Sequence, residues 1–319
     1  MKKIISVFLC LSLIMLSLVG CKSNEVADKP KDTVSKDFTP TKLNISALYD
    51  VTACSLSYLM EQNTLSKLKG TYAVSLYKDD ETFLKSNEFM FGLVFTTLSS
   101  GVELCKQKDF ARMLSLISLN IDAFGKSEIK NIKDFEGKKV LVYNDSDLPE
   151  NLNIMLKKAS VKCNITTSSD LYGFTEQVKS NKYDIVVAAY PAASEISKNY
   201  KYKLSLNEEW DNLKLKGKPY SHCIVASSEV ITEEFKTCEL FFEELGASIE
   251  KMNSADNTVV QSISNRYLNT SNAAALTTCT QNGFTLENYK DTEKLLTECA
   301  KVRNDGGEKL PTENIIYAF

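Results

Sequence analysis

The sequence predicts an α/β protein of two lobes, each a mainly parallel sheet flanked by helices. Three observations lead there. The chain has 319 residues, more than one hydrophobic core usually serves. Short apolar runs of strand character alternate with amphipathic stretches of helical period, the pattern of parallel sheets covered by helices. Several of the apolar runs end in a polar loop that opens the next helix, which is how open α/β sheets build a ligand-binding edge.

The chain begins with Met1-Lys2-Lys3, a short basic start, and continues through residues 4–18, apolar apart from Ser6, Cys10, Ser12 and Ser17. This core is short for a membrane span and reads as the apolar part of a signal peptide, residues 1–20. It ends in Leu18-Val19-Gly20-Cys21, which resembles the bacterial lipobox. Small residues before the cut let the extended peptide fit the protease, and the Cys21 thiol is the atom that accepts diacylglycerol. Cys21 is therefore the predicted lipidation site. An ordinary secretory signal with a chance cysteine, or an uncleaved anchor helix, are the rival readings. Residues 21–41 are polar, contain proline and lack periodicity, so they read as a flexible tether. Acyl chains on Cys21 would hold the protein on a membrane surface.

Residues 42–48 alternate like a strand, and 52–62 follow as a helix. A second alternating run covers 71–77. Residues 89–95 are continuously apolar, as in a strand buried on both faces. A helix over 99–106 and a strand over 113–120 come next. Residues 134–139, DFEGKK, form a turn; 140–143 are a strand, 144–147 a polar loop, and Pro149 stands near a helix start. Further on, 174–180 read as a helix, 185–189 as a strand and 190–193 as a turn into another helix. A strand over 222–226 leads to one long helix, 232–252, followed by helical runs around 259–268 and 291–302.

Composition limits the function. The net charge of −3 gives no electrostatic reason to bind nucleic acid or an anionic surface. Only Arg112, Arg266 and Arg303 carry guanidinium groups. Arginine is the usual bidentate clamp for carboxylate, phosphate or sulfonate, so its scarcity disfavours an Arg-clamped anionic ligand. Nine cysteines and one histidine occur, with no CxxC pair. The scattered cysteines read as small buried hydrophobes, with one or two disulfides compatible with an exported protein. One histidine does not make a zinc site, and no cofactor or metal is expected. Acid pairs such as Asp79-Asp80 and Glu233-Glu234 are adjacent and so point apart, as solvated faces rather than catalytic dyads.

The order of these segments resembles the substrate-binding lipoproteins of ABC importers, in the type II periplasmic-binding-protein architecture, and within them the sulfonate, taurine and thiamine-precursor binding group. Leu48-Tyr49-Asp50-Val51-Thr52-Ala53 lies where that family has a Gly-Pro-Thr-Ala-like turn. Asp134-Phe135-Glu136-Gly137-Lys138-Lys139-Val140 is similar to its entry into the second lobe. Tyr183-Asp184-Ile185-Val186-Val187 with Tyr190-Pro191, then Glu208-Glu209-Trp210 and Pro219 before a strand, keep the family's order. Gly306-Gly307-Glu308-Lys309-Leu310-Pro311 resembles a C-terminal motif of one subgroup.

The resemblance implies lobe one over 42–122 plus 222–319, lobe two over 123–221, and a ligand cleft between them that closes by hinge motion. It also implies an extracytoplasmic, lipid-anchored monomer, with a small-molecule ligand, an ABC permease and its ATPase as partners. No nucleic acid and no catalytic residue are expected. The strand-end loops give the candidate ligand-binding residues: Tyr49, Asp50, Thr52, Phe95, Thr97, Asn144, Ser146, Tyr190 and His222.

Each has an ordinary rival. A hydroxyl before a helix is commonly an N-cap, and an aromatic at a strand end is commonly core; this applies equally to Tyr143, Trp210 and Tyr220. His222 near the return crossing reads as a packed hinge histidine as well as a contact. The aromatics suit a planar, vitamin-like ligand. The alternatives are an enzyme on the same fold, acting on a pyrimidine-like or small organic acid substrate, and a non-transport surface lipoprotein.

Overall fold

The structure, a computed structural model, describes residues 42–48, 51–65, 71–77, 92–108, 110–144, 146–190, 192–196, 199–254, 256–268, 284–307 and 310. The predicted signal peptide, Cys21 and the tether lie outside the described residues, as do Tyr49 and Asp50.

The described residues open with β1 (Leu43–Leu48), α1 (Val51–Leu65), β2 (Tyr72–Tyr77), β3 (Gly92–Thr97), α2 (Leu98–Gln107) and β4 (Ala111–Leu119). The chain crosses at Asn120 into β5 (Ile121–Gly125), β6 (Lys139–Tyr143), α3 (Leu148–Ala159), β7 (Asn164–Ser168), α4 (Leu171–Lys179), β8 (Ile185–Ala189), β9 (Tyr202–Ser205) and α5 (Leu206–Asn212). The last described elements are β10 (Tyr220–Ser227), α6 (Ser228–Glu233), α7 (Phe235–Ser254), α8 (Asn257–Leu268), β11 (Phe284–Leu286) and α9 (Thr292–Gly306).

Two sheets result. The first runs β11-β4-β10-β3-β1-β2 and the second β7-β6-β8-β5-β9. The architecture is the two-lobed α/β one that the sequence predicts, but the sheets are mixed rather than mainly parallel. In the first, β1 is parallel to β2 and β3, whereas β10 is antiparallel to β3 and β4, and β11 to β4. In the second, β6 is parallel to β7 and β8, whereas β5 is antiparallel to β8 and β9. The antiparallel pairs involve the strands that carry the chain between sheets. Parallel neighbours need a helical crossover within one sheet; β5 and β10 arrive from the other sheet and escape that constraint.

The turn before β6 shows why the chain bends there. Asn131 accepts the N–H of Lys133 at 2.9 Å, and Asp134 accepts those of Lys130 and Asn131 at 2.6 and 3.2 Å, in a capping box over the single turn Ile132–Phe135. Gly137 follows at φ 70°, a left-handed conformation that favours glycine, and donates to the carbonyl of Lys162 at 2.7 Å. Asp184 then accepts the Lys139 N–H at 2.9 Å, tying the start of β6 to the strand beside it.

Two helical expectations change. The long helix over 232–252 is two helices, α6 and α7. Ser227 caps α6 by accepting the Val230 N–H at 3.2 Å, and Glu234 breaks the run at φ −117°, ψ 21°. After β8 there is only a short 3-10 turn, Ala192–Glu195, in place of another helix.

Both sheets are buried in apolar side chains. Leu93, Phe95, Ile224 and Ala226 belong to one cluster with Phe241 and Leu245 of α7; Val94, Cys223 and Val225 belong to another with Val102 of α2 and Leu296 of α9. Adjacent residues of β3 and β10 thus feed opposite faces, as the two-residue period of a strand requires. Helix α2 lies close on β10: a Cβ on Gly101 would run into the Sγ of Cys223.

Candidate functional site

The end of β3 and the end of β6, in different sheets, come together. Thr97 closes β3 and caps α2, its Oγ1 accepting the Ser100 N–H at 3.2 Å. Tyr143 closes β6, and the loop after it leads to Asp147 at the N-cap position of α3. Asp147 makes no side-chain cap on its own helix. Its carboxylate reaches the other sheet's helix instead, where the Ser99 N–H donates to both of its oxygens, at 3.0 and 3.3 Å. The first turn of a helix has unsatisfied N–H groups and a positive dipole end, so a carboxylate fits there.

Arg303 of α9 completes this arrangement. Its Nη2 lies 2.8 Å from Asp147 Oδ2 and 3.3 Å from the carbonyl of Tyr220. The Asn151 side chain donates to that same carbonyl at 3.1 Å. The Arg303 and Asp147 side chains are only 3% and 5% exposed. Burial works against the guanidinium charge, but Asp147, and behind it Cys299, outweigh burial and hold Arg303 above its ordinary value. A buried pair persists when its remaining polar groups are bonded, and here backbone donors and acceptors supply most of those bonds. Helix α9 can reach the pair because it packs tightly on α3: a Cβ on Gly306 would lie 2.6 Å from Ile154 Cγ1.

The predicted residues fall unevenly around this point. Thr97 and Ser146 flank it. The Ser146 Oγ is buried and has no hydrogen-bond partner among the described residues. His222 stands opposite Thr97 in the β10–β3 ladder and is 1% exposed, with Nδ1 3.0 Å from Ser221 Oγ. Thr52 is buried in the first turn of α1, its hydroxyl 3.5 Å from the Leu48 carbonyl. Phe95 is fully buried and packs edge-on against Phe241, with ring centres 6.1 Å apart. Asn144 is exposed, and its N–H donates to the Ser168 carbonyl at 2.8 Å. Tyr190 is half-buried at the end of β8, with the Lys203 ammonium 6.0 Å from its ring centre.

Among the other aromatics, Tyr143 lies 4.9 Å from Phe174, ring centre to ring centre, and Trp210 is buried in the core. Sequence reasoning did not single out Asp147, Arg303 or Ser99. The available signals were an aspartate directly before a Leu-Pro helix start and an arginine on the apolar side of a C-terminal helix, in a chain with three arginines.

Burial raises the thiols of Cys299, beside Arg303, and of Cys105 and Cys238 elsewhere in the core. Cys299 is pushed up to about 11 by burial, against the pull of Arg303, and Cys105 and Cys238 up to about 12. A nucleophilic cysteine needs the opposite shift. Among the described residues, no three His, Cys, Asp or Glu side chains cluster as a metal site, and no helix is long and apolar enough to cross a membrane.

No protein-family profile matches the chain, and no curated protein matches it by sequence. Solved structures do match. The periplasmic aliphatic sulphonate binding protein SsuA of Escherichia coli superposes with a TM-score of 0.66 at 11% identity, over 88% of this chain and 92% of that one. The alkanesulfonate-binding SsuA of Xanthomonas axonopodis pv. citri, bound to MOPS, gives 0.63 at 10% identity, over 88% and 100%. A ligand binding component of an ABC-type import system from Staphylococcus aureus, with zinc bound, gives 0.63 at 11% identity, over 87% and 97%. At such identities the likeness is one of fold. This chain has the two-lobed periplasmic-binding-protein fold, and its structural neighbours include the sulfonate-binding group that its sequence resembles.

Proposed function

We propose that this protein is the extracytoplasmic solute-binding component of an ABC importer. It captures a small molecule between its lobes, 42–122 plus 222–319 and 123–221, and delivers it to a permease with its ATPase. The observation that carries this reading is the meeting of two strand-end loops from different sheets, where Asp147 accepts the Ser99 N–H. Strand-end loops facing one another across two α/β lobes are where such folds place a ligand. A lipid on Cys21 and the tether behind it would keep a monomeric binder near its permease, raising the effective concentration. Capture and release need no bond to be made or broken, and the burial that raises the thiols of Cys105, Cys238 and Cys299 fits a non-catalytic role.

The ligand is a neutral or weakly charged compound, planar and vitamin-like. Each of the three arginines has an internal partner: Arg303 pairs with Asp147, Arg266 with Glu61 at 2.6 Å, and Arg112 donates to the Ala111 carbonyl at 2.7 Å. Internal pairing adds to their scarcity as an argument against an arginine-clamped acid.

A thermal-shift screen of the purified mature protein tests this. The panel is thiamine precursors, flavins, nucleobases, sulfonates and amino acids. One class should raise Tm saturably, since a ligand at about one hundred times its Kd adds about 2.7 kcal/mol. A hit confined to sulfonates overturns the neutral-ligand reading. Turnover of the bound compound would make the protein an enzyme, and absence of any hit would favour a non-transport surface lipoprotein.

A further inference from the structure

The start of α2 is a complete anion seat whose occupant belongs to the protein. Of its first-turn donors, the Ser100 N–H goes to the Thr97 hydroxyl and the Ser99 N–H to the Asp147 carboxylate. A buried guanidinium, Arg303, stands on the same carboxylate. A helix N-terminus with a cation beside it is the arrangement that recognises a carboxylate, sulfonate or phosphate group of a ligand. Two further polar atoms, the Oγ of Ser146, which directly precedes Asp147, and the Nε of Arg303 itself, are buried without a hydrogen-bond partner among the described residues. The spot therefore holds more hydrogen-bonding capacity than Asp147 uses.

We infer that Asp147 is a specificity-determining residue, an internal acid in the place of a ligand's acid. This rests on the solute-binding reading above and narrows it. By occupying the Ser99 amide and Arg303, Asp147 excludes ligands that present an acid there and admits those that present a neutral group. An anionic ligand must either expel Asp147 from its contacts or place a second negative charge beside it, and like charges at that distance repel strongly in a buried site. The same contacts hold α2 and α9 against the loop after β6, so Asp147 also latches the two sheets' strand ends together. Ser146, adjacent to it, is the hydroxyl left to bond a neutral ligand.

The test needs no knowledge of the natural ligand. Methanesulfonate is titrated calorimetrically, at constant ionic strength made up with chloride, into wild type, Asp147→Ala and Asp147→Ala/Arg303→Met. Asp147→Ala empties the seat and should bind methanesulfonate at least about tenfold more tightly than wild type, about 1.4 kcal/mol. The double variant should lose that gain. Wild type binding as tightly as Asp147→Ala would overturn the inference, and so would a folded Asp147→Ala that gains nothing.

Should Asp147→Ala fail to fold, Asp147→Leu/Arg303→Met replaces the pair by apolar groups of comparable size, a change that buried pairs commonly tolerate. Hydrogen exchange at the Ser99 amide should then be at least about tenfold faster than in wild type, about 1.4 kcal/mol of lost protection. Unchanged exchange overturns the latch. Failure of the importer reading shows separately, as the absence of any stabilising ligand in the thermal screen whatever methanesulfonate does.

Discussion

Asn207 donates its side-chain amide to the carbonyl of Leu119 at 2.9 Å, and its own side-chain oxygen accepts the N–H of Ile121 at 2.8 Å. Leu119 ends β4 and Ile121 begins β5. One side chain of α5 therefore holds the two peptide groups that flank Asn120, where the chain passes from one sheet to the other. Asn207→Ala should cost about 1–3 kcal/mol in urea unfolding, because it strands a donor and an acceptor at once. Asn207→Asp keeps the acceptor and should fall between. Equal stability of all three would show that water replaces the amide without cost.

Arg303 should be among the most sensitive positions in the chain. Arg303→Ala leaves the Asp147 charge buried without its cation, and such losses cost about 3–5 kcal/mol. Replacing both residues by apolar ones should cost less than the single change. Chemical denaturation of the two variants decides it, and additive losses would contradict a coupled pair.

The Asp122–Lys203 pair sets a pH dependence. The two are 2.8 Å apart, with Asp122 6% and Lys203 47% exposed. Burial raises the Asp122 carboxyl above its ordinary value, although Lys203 pulls it down. Burial works against the Lys203 charge, but Asp122 outweighs it and leaves the ammonium above its ordinary value. Both folded values thus exceed the unfolded ones, so each group contributes stability at lower pH that is lost as pH rises. For Asp122 the loss begins at the ordinary carboxylate value and runs up through its raised folded one, and for Lys203 it falls in the alkaline range. Asp122→Asn should remove the first step and be at least as stable as wild type at neutral pH. A loss of more than about 1 kcal/mol at neutral pH would sink this account.

Gly101→Ala should destabilise by about 1–3 kcal/mol, the usual range for an overpacked core. Its new methyl meets the Cys223 sulfur. Cys223→Ala in the same chain should recover part of that loss, which a double-mutant cycle would register as coupling.

Cys21→Ser should abolish incorporation of radiolabelled fatty acid and release the exported protein from the membrane fraction. Retention of label would assign the lipid to another residue. The change should leave the Tm of the soluble chain unmoved.

Much of the architecture is local and was therefore legible. The run IVVAA at 185–189 is continuously apolar and is β8 at the predicted limits. Thr97 and Pro149 mark helix starts because capping chemistry lies within a few residues of itself. Strand β7, Asn-Ile-Thr-Thr-Ser, escaped notice because it is a largely exposed edge strand with little apolar signal. Strand β9 is only four residues long. The break at Glu234 was hidden because both flanking segments favour helix. The Asp147–Arg303 pair was out of reach for a different reason. Its members are 156 residues apart, and no periodicity in either neighbourhood encodes the other.

The position of β10 bears on the order in which the molecule assembles. All five strands of the second sheet lie between residues 121 and 205, so that sheet can close as soon as its own segment has been synthesised. The first sheet cannot. Its strand β4 pairs only with β10 and β11, which follow residue 219, and β10 is what joins β4 to β3. Long-range pairing of this kind is slow and leaves strand edges exposed meanwhile. A chain halted before residue 220 would hold a finished second sheet beside β1, β2 and β3, with β4 waiting for its neighbours. The half of the protein that is translated first is completed last.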